Sequence, residues 1–148
     1  MISADSVEGR LSDWPFLPAT EESDFGPYWD SLRRGIVALP RCRGCGRFQW
    51  YPLPCCPACQ SLDFEWSEIG PDATVYSFTT VRRAFLPGFD RVLPLTIVIL
   101  VPDDAPHVHF LALSDPEGDD AVSIGDRVRL AALPFRNGVS LPIARVSR

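Results

Sequence analysis

A chain of 148 residues can hold one well-packed β domain with a smaller attachment, and 46% hydrophobic residues at a mean hydropathy of +0.03 fit a folded protein. The formal charge of -5 disfavours a general nucleic-acid binder, because a phosphate backbone demands a positive surface. All 14 basic residues are arginine, so no lysine is present to act as nucleophile or Schiff base. No apolar run reaches the roughly 18 residues of a membrane span. The N-terminus has neither the basic start nor the apolar core of an export signal, so a cytoplasmic location is expected.

Residues 1–23 show no helical or strand period and read as an extended N-terminal arm. Within it, Trp14-Pro15-Phe16-Leu17-Pro18 is more apolar than a solvated tail. Such a segment either packs on its own domain or wraps a partner.

From Asp24 a short amphipathic helix is expected. Asp24 is a candidate N-cap, and Pro27 in the first turn gives up only an N–H without a helical acceptor. Phe25, Tyr28, Trp29 and Leu32 recur at helical spacing and make one apolar face, which suits a core or an interface. Arg33 and Arg34 complement the negative end, and Gly35 supplies the stop.

The next stretch carries the strongest signal. Cys42 and Cys45 form one C-x-x-C hook, and Cys56 and Cys59 form a second. A two-residue gap lets both thiolates of a hook turn toward one ion, and two hooks complete a tetrahedral four-thiolate zinc site. Four thiolates leave no position open for water, so the zinc is expected to be structural. The plainer alternative is a set of buried free cysteines. Cys55 is a rival ligand, but with Cys59 it makes C-x-x-x-C, so Cys56 is the better partner and Cys55 a spare thiol. Gly46 follows the first hook where a positive φ is useful, whereas Gln60 stands at the corresponding place in the second. Ile36–Leu39 reads as the strand entering the first hook, Phe48–Tyr51 as the return strand and Phe64–Trp66 as a connecting strand. Helix and zinc ribbon together occupy residues 24–68.

From residue 69 to 148 the pattern changes to repeated strands. Ala73–Arg82 alternates, with Thr74, Tyr76, Phe78 and Thr80 on one face. Leu93–Val101 is almost continuously apolar, as in a strand buried on both sides. His107–Ser114, Arg127–Ala132 and Val139–Val146 complete about five strands without a helical crossover. That set suggests a closed Greek-key barrel of the OB type, although periodicity alone also allows an open sandwich. The fold class expected is mainly β: a short N-terminal helix, a rubredoxin-like zinc ribbon and a five-stranded OB-fold barrel.

In order and spacing these motifs resemble the zinc-ribbon and OB-fold proteins first catalogued as domain of unknown function 35, over roughly residues 24–147. The likeness is carried by Pro27-Tyr28-Trp29, Leu32-Arg33-Arg34-Gly35, Arg41-Cys42-Arg43-Gly44-Cys45-Gly46 and Cys56-Pro57-Ala58-Cys59. It continues in Thr74–Thr79, Pro87-Gly88-Phe89 and Ile124-Gly125-Asp126-Arg127-Val128. The resemblance implies an accessory subunit of a thiolase-fold enzyme acting on acyl-CoA thioesters, a thiolase, acyltransferase or aldolase of acyl-CoA, steroid or aromatic degradation. The small chain is then needed for assembly and activity, while the catalytic groups belong to the partner. Nucleic acid and membrane are not implied as partners.

No catalytic residue is assigned. His107 and His109 alternate on the expected third strand, with no obvious third ligand, and read as structural or surface residues. Asp103-Asp104 and Asp119-Asp120 read as solvated turn residues. Arg82, Arg83 and Arg91 surround apolar Phe85, Leu86 and Phe89. These arginines suit ordinary loop anchoring, the phosphates of coenzyme A bound through the partner, or the mouth of the partner's active site. Trp14, Phe16, Tyr28, Trp29, Phe85 and Phe89 are the candidate partner-binding residues. A stand-alone acyl-CoA-binding module, and a nucleic-acid-binding ribbon-OB protein, remain the alternative functions.

Overall fold

A computed structural model describes residues 14, 16–20, 24–115, 122–135 and 138–147. The rest of the N-terminal arm and the Asp119-Asp120 pair lie outside the described residues. The helix, α1, spans Gly26–Arg33. Its N-cap is Phe25 rather than the expected Asp24, and no side chain caps it. Pro27 offers no N–H for a cap to satisfy, which weakens the selection for a capping carboxylate. At the other end Gly35 adopts φ 80°, the left-handed stop that the sequence calls for.

Strand β1 (Val37–Cys42) pairs antiparallel with β2 (Phe64–Ile69), in register from Val37 opposite Ile69 to Cys42 opposite Phe64. The expected return strand at Phe48–Tyr51 is therefore reduced to a single bridge between Phe48 and Arg41. Pro52 and Pro54 remove ladder donors just beyond it. Trp50 turns instead into an aromatic cluster, 4.6 Å from Tyr28 and 5.6 Å from both Phe25 and Phe110, ring centre to ring centre. Ser31, fully buried, fastens α1 to β1: its hydroxyl donates to Tyr28 O and accepts from Ala38 N–H.

The remaining strands are β3 (Asp72–Val81), β4 (Leu95–Pro102), β5 (Phe110–Ser114), β6 (Arg127–Pro134) and β7 (Ser140–Val146). They close a barrel in the order β3-β4-β5-β7-β6, with β5 and β7 parallel and the other pairs antiparallel. Closure by β3 against β6 removes the open edges that a sandwich would leave. This is the OB-fold barrel.

The expected alternation of β3 fails at one point. A bulge lies between Val75 and Ser77, so Val75 faces Leu100 while Phe78, three residues later, faces Val98 on the same side of the sheet. The third strand also begins later than His107. Val108 N–H bonds back to Ala105 O, which keeps His107 in a turn, and His109 lies outside the strand with its ring 4.4 Å from that of Tyr76. The two histidines therefore do not share a strand face.

One core fills the barrel and runs out beneath the ribbon, joining Val75, Val98, Leu100, Phe110, Val128 and Leu130 to Tyr28, Leu32, Val37 and Leu39. A second cluster covers the outside of the sheet, with Val92, Leu95, Leu113 and Ile143 buried under Trp14, Phe89 and Phe135. Strand β4 contributes to both, which accounts for its nearly continuous apolar run. Among the described residues no helix is long and apolar enough to cross a membrane.

Candidate metal centre

The first hook leaves the end of β1 and the second lies just before β2. Each is a tight knuckle closed by one backbone hydrogen bond. Gly46 N–H donates to Cys42 O, and Gln60 N–H donates to Cys56 O, both at 2.8 Å. The residue after each hook has positive φ, 74° at Gly46 and 63° at Gln60. Gln60 thus takes the backbone conformation that glycine takes in the first hook. Crossing bonds from Cys42 N–H to Arg47 O and from Cys56 N–H to Ser61 O complete the two loops.

These knuckles bring the sulfurs of Cys42, Cys45, Cys56 and Cys59 within 4.8 Å of one another. Cys42 Sγ lies 3.5 Å from Cys59 Sγ, and Cys45 Sγ lies 3.7 Å from Cys56 Sγ. A tetrahedron with metal–sulfur bonds of about 2.3 Å has edges of about 3.8 Å, so the donor set fits one four-thiolate ion. The cluster has the donors and the geometry to hold a metal ion. Cys55 is exposed and is not one of the four.

The electrostatics favour thiolate at some positions and not at others. The Cys45 backbone N–H, with support from the Cys59 side chain and the Gly44 N–H, lowers the Cys42 pKa to about 6. The Cys59 backbone N–H is the largest influence on Cys56 and lowers that thiol too. For Cys59 the Ser61 backbone N–H favours the thiolate, but Cys42, desolvation and the other two cysteines outweigh it and push the pKa up to about 12. Four adjacent sulfurs do not all ionise without a cation among them.

Several supporting residues had no role assigned from the sequence. A Cβ added at Gly44 would lie 3.1 Å from Ser61 Cβ and 3.3 Å from Cys59 Sγ, so the second hook packs tightly over the glycine inside the first. The signal was present as Gly44 between the two ligands. Arg41 donates from Nε to Gly46 O at 3.0 Å, and its guanidinium lies 5.6 Å from the centre of the Phe48 ring. These long-range choices are not visible in cysteine spacing. An open cleft of about 390 Å³ lies between the first knuckle and the β4–β5 turn, bordered by Cys45, Arg47, Phe48, Asp104 and His107.

The remaining candidates divide into two places. Tyr28 is buried against Phe110 and Trp50, and Trp29 is half-buried on the same core. Burial, assisted by Tyr51, pushes the Tyr28 phenol well above its usual range. Trp14, Phe16 and Phe89 come together far from the sulfurs in sequence, with Trp14 edge-on to Phe89 at 5.2 Å and Phe16 6.0 Å from it. Phe85, Arg82, Arg83 and Arg91 are exposed on the same loop. Asp103 and Asp104 are more than solvated turn residues. Asp103 holds Arg127 in a two-pronged pair at 2.7 and 2.6 Å, and Asp104 accepts from Gly70 N–H at 2.7 Å.

Residues 29–65 match the family described as ChsH2, rubredoxin-like zinc ribbon domain, and residues 66–133 match ChsH2, C-terminal OB-fold domain. The chain belongs to the DUF35 family of zinc-ribbon and OB-fold proteins. Among solved structures, a chain of the Ltp2-ChsH2(DUF35) aldolase is similar at a TM-score of 0.74 and 23% identity, over 88% of this chain and 98% of that one. A DUF35 protein of unknown function from Sulfolobus solfataricus is similar at a TM-score of 0.54 and 21% identity, over 82% of this chain and 84% of that one. At these identities the likeness shows the fold. A curated relative, the probable enoyl-CoA hydratase alpha subunit of Thermomonospora curvata, is 24% identical over 118 residues, or 80% of this chain. This DUF35 chain spans 36% of that relative's length.

Proposed function

We propose that this chain is a non-catalytic, zinc-containing accessory subunit of an acyl-CoA enzyme whose catalytic subunit has a thiolase fold. The observation that carries the reading is the likeness over 88% of this chain, at a TM-score of 0.74, to a chain of the Ltp2-ChsH2(DUF35) aldolase. The relative named as an enoyl-CoA hydratase subunit supports the same substrate class. In this reading one zinc fills the four-cysteine cluster and ties the two knuckles of the ribbon together. With four thiolates on the ion, its shell is complete and its contribution is to folding rather than to substrate activation. The nucleophile and the acid–base groups belong to the partner, and coenzyme A thioester is bound through the complex.

The test is reconstitution. The isolated chain should leave acyl-CoA thioesters unchanged, and the isolated catalytic subunit should be poorly active or insoluble. Mixing or co-expressing the two should restore turnover at a fixed ratio. Turnover by the small chain alone, or a partner fully active without it, would contradict the reading.

A further inference from the structure

The loop between β3 and β4 combines three features. Its tip carries Phe85 and Leu86, 85% and 58% exposed, and Phe85 is the most exposed large apolar side chain among the described residues. Its flanks carry Arg82, Arg83 and Arg91 against a single acid, Asp90, in a chain whose formal charge is -5. All three arginines are exposed, and among the described residues none makes an ion pair. The base, by contrast, is fixed. Gly88 at φ 88° leads into a 3₁₀ turn over Phe89–Arg91, and Phe89 packs against Trp14 and Phe16. Val92 and Leu95 are buried with Leu113 and Ile143 below it.

A water-exposed phenylalanine on an anchored base is a preorganised projection, and aromatic side chains with arginine are the types that dominate binding hot spots. We propose that loop 82–91 is a docking spike: Phe85 and Leu86 enter an apolar socket on the catalytic subunit, and Arg82, Arg83 and Arg91 meet carboxylates on its rim. This inference rests on the accessory-subunit reading and names the surface that carries it. A small phosphorylated ligand needs a concave site, whereas these side chains stand outward, so the arginines serve a protein surface rather than the phosphates of coenzyme A. A second copy of this chain would bring like charges together at the same loop.

The experiment uses the full zinc-loaded chain and the catalytic subunit that co-purifies with it. Binding is measured by biolayer interferometry for the wild type, Phe85→Asp/Leu86→Asp, Arg82→Glu/Arg83→Glu/Arg91→Glu, and the control Leu62→Asp on the ribbon. The expected result is at least a tenfold weaker Kd for both loop variants. The arginine variant should also show a slower association rate and a flatter salt dependence. All variants should keep the wild-type melting temperature within a few degrees, since exposed substitutions rarely shift stability by more than about 0.5 kcal/mol. Wild-type Kd in the Phe85→Asp/Leu86→Asp variant overturns the spike and leaves the accessory-subunit reading standing. Failure of the wild type to bind any thiolase-fold subunit overturns both. Titration with coenzyme A, and with phosphatidylglycerol vesicles, completes the set: binding of either that is lost in the loop variants, with partner affinity unchanged, reassigns the loop and overturns the spike.

Discussion

Cys42 Sγ sits 3.5 Å from Cys59 Sγ although the two are 17 positions apart in the chain, and neither knuckle alone would hold that distance. A cation among the four sulfurs would offset their mutual repulsion, so the zinc reading makes metal binding and ribbon folding one event. The double variant Cys42→Ser/Cys59→Ser should fall from one zinc per chain to none, by elemental analysis. It should also lose the ribbon's near-ultraviolet circular dichroism. Structural zinc in finger peptides is worth about 10–16 kcal/mol near neutral pH, as much as a whole small domain. A folded, zinc-free double variant would contradict this.

The same centre should show a proton dependence. Binding requires thiolates, and Cys59 lies up near about 12 without a cation while Cys42 lies near about 6. Zinc uptake by stripped protein should therefore release protons and weaken as the pH falls. Chelator competition at several pH values measures it, and a pH-independent affinity would be inconsistent with thiolate ligation.

Two backbone positions should discriminate sharply. Gln60 has φ 63°, so Gln60→Gly should change stability little, while Gln60→Val, β-branched at positive φ, should cost more than about 1 kcal/mol. Gly44→Ala should weaken zinc binding, because its methyl would press on Ser61 and Cys59 Sγ. Equal zinc affinity in Gly44→Ala would show that the second hook can give way.

Asp103 and Arg127 form a short two-pronged pair across the barrel end. The hydrogen bond from Arg127 holds the Asp103 pKa below the usual carboxylate value. A depressed carboxylate stabilises the folded state above its ordinary pKa, and that contribution disappears as the pH falls through the depressed value. The melting-temperature gap between wild type and Asp103→Asn should be widest near neutral pH and close in acid. It should be small throughout, because both side chains are about half-exposed. A gap that widens in acid would reverse the assignment.

Phe110 joins the barrel core to the aromatic cluster of helix and ribbon, with its ring 6.1 Å from Tyr28 and 5.6 Å from Trp50. It is fully buried, so Phe110→Ala should cost about 3–5 kcal/mol in chemical unfolding. Phe85→Ala, at an exposed tip, should cost no more than about 0.5 kcal/mol. A similar cost at both positions would mean that the loop tip is part of the core.

The local signals in the sequence led directly to most of these elements. Two C-x-x-C hooks define a site because ligand geometry is written in spacing, and β4 was recognisable as doubly buried because both of its faces are apolar. The misreadings arose where distant contacts decide. Phe48–Tyr51 has strand-like residues, yet Trp50 finds more partners in Tyr28, Phe25 and Phe110 than a ladder would give it. The bulge after Val75 shifts the faces of β3 because a closing barrel must bend there, and composition alone does not reveal that bend. His107 leaves its expected strand for a turn closed by Ala105 and Val108. The roles of Gly44 and Asp104 depend on Ser61, Cys59 and Gly70, distant partners that only the fold identifies.

The most direct measurement of the central claim is native mass spectrometry of the chain purified gently by affinity from its own host. The accessory-subunit account predicts a complex with a thiolase-fold subunit in fixed ratio and one zinc for each copy of this chain. A lone chain that binds coenzyme A, or a complex whose small subunit carries no zinc, would contradict it.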